Sequence, residues 1–210
     1  EEIPPQLQIA ARSQIKIFIE KSLKEDNLKY KEILVYSSPT RLTLFIKDLA
    51  EKIKTEAKEI KGPKVGSTDQ VIQGFLRAKN VSENDLIEKE TEKGKFYFIK
   101  TQSQSTLVED LLIKIIPKAI GSINWKKSMK WSDHNLMWGR PLRAIFARYN
   151  NKKLEFNYEH FDVSDEVIIE QDLVTKTKKI KDFKDYLNFL KSNKIIVDHK
   201  ERENIILKKI

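Results

Sequence analysis

Two hydrophobic periods alternate along the chain, and the switches between them outline its elements. After Pro4-Pro5, which suit a helix start, Leu7, Ala11, Ile15 and Phe18 recur at helical spacing and predict a helix running to about Lys24. Residues 31–37 and Arg41–Lys47 then read as two strands, the second with clear alternation, joined at Ser37-Ser38-Pro39-Thr40 into a hairpin. Residues 50–66 are rich in lysine and glutamate and broken by Gly62-Pro63 and Gly66, which predicts an exposed connection. Ser67-Thr68-Asp69 offers an N-cap to a short helix with Val71, Ile72, Phe75 and Leu76 on one face. Residues 86–101 read as a second hairpin turning at Glu92-Lys93-Gly94-Lys95, with Phe96, Phe98 and Lys100 on one face.

Thr106 and Glu109 have the spacing of a capping box. Leu107, Leu111, Leu112, Ile115, Ile116 and Ala119 then predict a buried helix, kinked or shortened by Pro117 and ended by Gly121. Residues 123–143 follow as short strands and loops. Residues 144–149 and 154–158 read as a strand pair around Asn150-Asn151, and 167–169 as a short strand. Asp182 caps a helix whose face is Phe183, Tyr186, Leu187 and Leu190. Residues 195–197 read as a brief strand, and Asp198 with Glu201 opens a last helix that turns Ile205 and Ile206 inward. Helices and hairpins without a βαβ rhythm give an α+β class: hairpins and mixed sheet with packed helices, leading into a C-terminal helical segment. The expected division is an N-terminal α+β region over 1–178, with room for two sub-lobes split near 122, followed by a helical segment over 179–210.

Composition narrows the function. At 210 residues and 40% hydrophobic the chain can bury a real core. No apolar run approaches the length of a membrane span and no signal peptide is visible, so the expected location is cytoplasmic, away from membranes. The chain begins without Met and ends at Ile210 inside a helical pattern, which reads as a fragment of a longer protein. With no cysteine, disulfides and thiolate metal sites are excluded. His134, His160 and His199 are isolated in sequence, and no glycine-rich phosphate loop or spaced carboxylate pair occurs, so no catalytic, cofactor or metal residue is predicted.

Charge is uneven. From Ile123 to Lys153 there are eight basic residues against Asp133 alone, and the stretch holds all three tryptophans and both methionines of the chain. Residues 154–175 hold seven acidic residues and no basic one, so the two blocks can pair internally. Two readings of the tryptophan block stand side by side. Its rings can be core anchors under a solvated lysine face. Alternatively, cations and rings can form a nucleic-acid surface.

Lys127-Ser128-Met129-Lys130-Trp131, followed by Trp138-Gly139-Arg140-Pro141-Leu142-Arg143, resembles the beta subunit of bacterial heterotetrameric glycyl-tRNA synthetase. Three further stretches agree in the same order: Glu1-Glu2-Ile3-Pro4-Pro5, Ser38-Pro39-Thr40-Arg41-Leu42-Thr43-Leu44, and Lys61-Gly62-Pro63 with Gly74-Phe75. One departure stands out: Glu170-Gln171-Asp172-Leu173 occupies the place of the family's Gly-His-Arg-Phe-like motif.

The resemblance implies a region related to the B3/B4-type α+β domain of phenylalanyl-tRNA synthetase, with HD-type and anticodon-binding domains beyond Ile210. It implies a holoenzyme that joins glycine to tRNA(Gly), with ATP used by the alpha subunit and no cofactor in this region. The relative's editing activity is not carried over, because no catalytic constellation is visible. Candidate RNA contacts are Lys126, Lys127, Lys130, Arg140 and Arg143. Arg41, at the hairpin exit, comes next; it reads first as a solvated turn residue, and otherwise as a contact with RNA or with a partner subunit. The rival expectation is a protein–protein scaffold, with the tryptophans and methionines as a subunit contact and no RNA.

Overall fold

The computed structural model describes residues 2–55, 59–92, 94–100, 104–131, 133–171 and 174–210. The chain folds as two compact units, Glu1–Glu51 with Leu107–Ile210, and Lys52–Thr106. The architecture is mixed α+β, with five α-helices and several small, mostly antiparallel sheets among the described residues.

The first unit opens with α1 (Pro5–Glu25), whose N1 position is Pro5. Its buried stripe is Gln8, Ala11, Ile15, Ile19 and Leu23, so the inward face lies slightly to one side of the one predicted through Leu7 and Phe18. Asn27 (φ 51°) takes the left-handed conformation, and the Leu28 amide returns to the Leu23 carbonyl at 2.8 Å, closing the helix. Strands β1 (Glu32–Ser38) and β2 (Arg41–Lys47) form the predicted hairpin, in a register that sets Ser38 opposite Arg41 and Val35 opposite Leu44.

The second unit contains β3 (Lys52–Thr55) and β4 (Glu59–Lys64), where an exposed connection was expected. Alternation there is masked by lysine and glutamate, and Gly62-Pro63 falls at a register irregularity of β4 rather than ending it. Next come α2 (Asp69–Lys79), β5 (Leu86–Thr91), β6 (Gly94–Lys100) and β7 (Gln104–Leu107). Sheet β4-β6-β5 is antiparallel and β7 pairs with β3. In α2 only Leu76 is buried, and Val71 is exposed. Phe75 lies against Gly62, where a Cβ would come within 2.8 Å of its ring. The two glycine-containing motifs of this unit therefore meet in one packing contact. Lys93 of the predicted turn and Thr101 at the hairpin end lie outside the described residues.

The chain returns to the first unit with α3 (Val108–Gly121), which buries Val108, Leu112, Ile115 and Ala119. Its N-cap is Leu107, not Thr106, and its first amide is satisfied by the Glu51 carbonyl at 3.2 Å instead of a capping box. The helix continues through Pro117 to Gly121. Gln14 of α1 bonds both the amide (2.7 Å) and the carbonyl (3.3 Å) of Asn124. Residues on both sides of 122 share one unit, and the two units meet in the chain after Glu51 and after Thr106.

Short strands follow: β8 (Met129–Lys130), β9 (Met137–Trp138), β10 (Ile145–Phe146), β11 (Arg148–Tyr149), β12 (Lys152–Lys153), β13 (Asn157–Tyr158), β14 (Phe161–Ser164), β15 (Glu166–Gln171) and β16 (Val174–Lys179). The predicted pairing of 144–149 with 154–158 survives only at its tip. There β11 and β12 close around Asn150-Asn151, both left-handed. β10 and β13 both pair instead with β14, in parallel and antiparallel respectively. Helices α4 (Phe183–Ser192) and α5 (His199–Leu207) are capped by Asp182 and Asp198 as predicted. Residues 195–197 form no strand, because Val197 inserts into the core as coil. Ile206 of α5 is exposed rather than inward.

Val167, Ile169, Ile180, Tyr186, Leu190 and Val197 form one core with Tyr36, Phe146 and Phe183 packed on it. Residues 179–210 belong to the same unit as β1 and β15.

Candidate nucleic-acid interface

The tryptophan block is built around two buried rings. Trp125 (8% exposed) and Trp138 (7%) pack with centroids 4.9 Å apart, tilted by 60°. Gly139 is what admits this arrangement: a Cβ there would lie 2.6 Å from the Trp125 ring. Trp138 also meets Tyr158 edge-on at 6.5 Å. Trp131 is half-buried. These indoles are anchors, and the core reading holds for Trp125 and Trp138.

What the anchors carry is exposed. Strands β8 and β9 pair antiparallel, Met129 opposite Trp138, and Lys126, Lys127 and Lys130 are in solvent. Met129 is 51% and Met137 53% exposed. None of the three lysines has a carboxylate within 4.0 Å among the described residues.

Four of the five cations in the rest of the basic block are engaged, Lys152 having no carboxylate within 4.0 Å among the described residues. Arg143 pairs with Glu170 at 3.1 Å, Arg148 with Asp165 at 2.8 Å and Lys153 with Glu155 at 3.5 Å. Asp165 also takes Lys179 at 3.2 Å. The Lys179 ammonium, with Arg148 and Lys153 behind it, holds the Asp165 carboxyl below its ordinary pKa. Arg140 is turned to backbone, donating to the Glu2 carbonyl (3.3 Å) and to its own neighbour Gly139 (3.2 Å). The acidic stretch after residue 154 therefore pairs with the second half of the basic block and leaves the first half bare. Glu170, which departs from the family pattern, is one of those partners. Asp172 and Leu173 lie outside the described residues.

Arg41 is not a solvated turn residue. Its guanidinium turns inward, donating to the Ile168 carbonyl near Tyr186, whose hydroxyl bonds Thr43 at 2.8 Å. Burial lowers the Arg41 pKa, with Tyr186 opposing, and burial raises that of Tyr186. So the six sequence candidates divide. Lys126, Lys127 and Lys130 are exposed in and just before the β8–β9 hairpin, Arg140 and Arg143 follow it in the chain, and Arg41 lies elsewhere. The histidines also differ from expectation: His134 and His160 stack at 3.5 Å, 11° from parallel, with Phe161 against the latter. Among the described residues no group of three or more acidic or histidine side chains is arranged to hold a metal.

A sequence model of the family described as "Glycyl-tRNA synthetase beta subunit" matches residues 1–210. The chain belongs to this family. Among its relatives, "Glycine--tRNA ligase beta subunit" of Rickettsia felis is 31% identical over 209 residues, covering 98% of this chain and 31% of the relative. The protein of the same name in Rickettsia prowazekii is 32% identical over 209 residues with the same coverages. The chain thus spans about a third of the length of the curated relatives it matches. Two family-like glycines now have physical reasons. Gly62 makes room for Phe75, and Gly139 for Trp125.

Proposed function

We propose that this region serves a glycine–tRNA ligase by supporting tRNA recognition and subunit assembly. ATP-dependent glycine activation lies on an alpha subunit, within a cytoplasmic heterotetramer. The region itself performs no chemistry and holds no cofactor. Its partners are the alpha subunit and tRNA(Gly). Among the described residues no helix is long and apolar enough to cross a membrane.

One observation carries the RNA reading: Lys126, Lys127 and Lys130 are exposed, unpaired with carboxylate and mounted on a tryptophan-anchored hairpin. Unpaired cations on a fixed support neutralise phosphates without first breaking protein ion pairs. The experiment is tRNA binding by the assembled enzyme carrying Lys126→Glu, Lys127→Glu and Lys130→Glu together. Weaker binding is expected, and unchanged binding removes the reading.

A second reading, a protein–protein scaffold without RNA contact, has its own support in exposed Met129 and Met137. Large flexible apolar side chains at the surface suit a subunit interface. It predicts that Met129→Ser with Met137→Ser weakens alpha-subunit association while tRNA affinity is unaffected by the lysine changes.

A further inference from the structure

We infer that sheet β4-β6-β5 of the second unit binds single-stranded RNA on the face opposite α2, with bases against Phe96 and Phe98 and phosphates on Lys61, Lys64, Lys89 and Lys100. This surface is separate from the exposed lysines of the first unit, and neither reading depends on the other.

The register sorts the side chains of this sheet. Lys61 and Ile87 are the cross-strand partners of Phe98, and Lys64 and Lys89 those of Phe96. These residues therefore share one face, together with Glu59 opposite Lys100. Gly94, two residues before Phe96, agrees: a Cβ there would lie 3.4 Å from the Lys64 side chain. The other face is the packed one. It carries Ile99, 1% exposed, and Gly62, where a Cβ would meet the Phe75 ring of α2. Charge follows the same division along β5. Lys89 falls on the Phe96 face, Glu88 and Glu90 on the α2 face.

Ammonium groups lie over both phenylalanines. The Lys61 Nζ is 3.4 Å from the Phe96 centroid and the Lys89 Nζ 5.9 Å from that of Phe98. The face is open to solvent: Ile87, beside Phe98, is 43% exposed, and Lys61, Lys64 and Lys100 are exposed too. Glu59, the carboxylate of this face, is held by Lys89 at 2.6 Å. Lys61, Lys64 and Lys100 have no carboxylate within 4.0 Å among the described residues.

Four lysines against one glutamate select an anionic partner. Two rings on one face of the central strand, about 7 Å apart along it, add a preference for successive planar groups. An exposed ammonium on a long stem can leave its ring for a phosphate and free that ring for a base. A duplex keeps its base faces inside its own stack, so an unpaired strand is what uses rings and cations together.

The test uses the assembled enzyme at fixed ionic strength, with a short oligouridylate carrying 4-thiouridine and a duplex RNA of equal length carrying the same base as probes. Photo-cross-links are mapped by mass spectrometry along a titration, so that half-saturation is read for this strand alone. Wild type, Phe96→Leu/Phe98→Leu, Lys61→Gln/Lys64→Gln and Lys126→Glu/Lys127→Glu/Lys130→Glu are compared. The single strand should cross-link within residues 86–100, and the duplex at least about tenfold more weakly. Loss of both rings should raise the half-saturation concentration about tenfold or more. Loss of the two lysines should raise it by a smaller factor and lower its salt dependence. The triple glutamate variant should leave it unchanged, which separates failure of this site from failure of the first-unit lysines. Should the ring variant fail to fold, the exposed lysine pair and the cross-link position decide. No cross-link within 86–100, equal cross-linking by the duplex, or wild-type half-saturation in the ring or lysine variant overturns the inference. A glutamate-rich peptide that binds these lysines where the RNA does not would assign the face to a protein partner and overturn it as well.

Discussion

The two halves of the basic block are both cationic in sequence and differ in their carboxylate neighbours in space. Among the described residues Lys126, Lys127 and Lys130 have no carboxylate within 4.0 Å, whereas Arg143, Arg148 and Lys153 each have one. The difference comes from what folds next to them. Strands β13 to β15 bring Glu170 and Asp165 to the second half, while the first half rides on a short hairpin over Trp125 and Trp138. A run of cations is therefore no measure of available charge until its carboxylate neighbours are known. Exposed pairs of this kind contribute little stability, but each occupies a cation that would otherwise be open to an anion.

The contrast can be broken most severely from below. Trp138→Ala should cost about 3–5 kcal/mol, because a large buried ring is removed. It should weaken tRNA binding although no charge changes, and denaturant unfolding beside tRNA titration checks both. Gly139→Ala acts in the same place through overpacking against Trp125, with an expected destabilisation of about 1–3 kcal/mol in the same unfolding assay.

Changes in the paired half should be smaller. Arg143→Gln or Lys153→Gln should each cost less than about 1 kcal/mol and leave tRNA affinity near wild type. The smallest expected effect is on acid stability. The Asp165 pKa is lowered in the folded state, so its contribution is present above the ordinary carboxylate pKa and is lost as pH falls through the lowered value. Asp165→Asn should flatten the acid limb of melting temperature against pH, most visibly below about pH 4, and leave the neutral region almost unchanged.

Much of the fold was legible because period and caps agreed. The β1–β2 hairpin had a Ser-Pro-Thr turn between alternating strands, and Asp182 and Asp198 cap α4 and α5 through bonds to the amides of Asp185 and of Lys200 and Glu201. β3 and β4 were not legible, since lysine and glutamate at both pleats hide alternation. Nor was the capping of α3, because its partner is the Glu51 carbonyl, far away in sequence. The site divided in the same way. The block's composition marked Lys126, Lys127 and Lys130, but only tertiary pairing shows that Arg143 is occupied and that Arg41 turns inward to Tyr186 and Ile168.

The most direct test of the central claim is the salt dependence of tRNA(Gly) affinity for the assembled enzyme. Three forms are compared: wild type, the Lys126→Gln/Lys127→Gln/Lys130→Gln variant, and the Arg143→Gln/Lys153→Gln variant. The free lysines predict a slope of log affinity against log salt that falls by about 0.7–0.9 for each phosphate no longer neutralised in the first variant, and hardly changes in the second. Equal slopes in all three, or a larger change in the second variant, would contradict it.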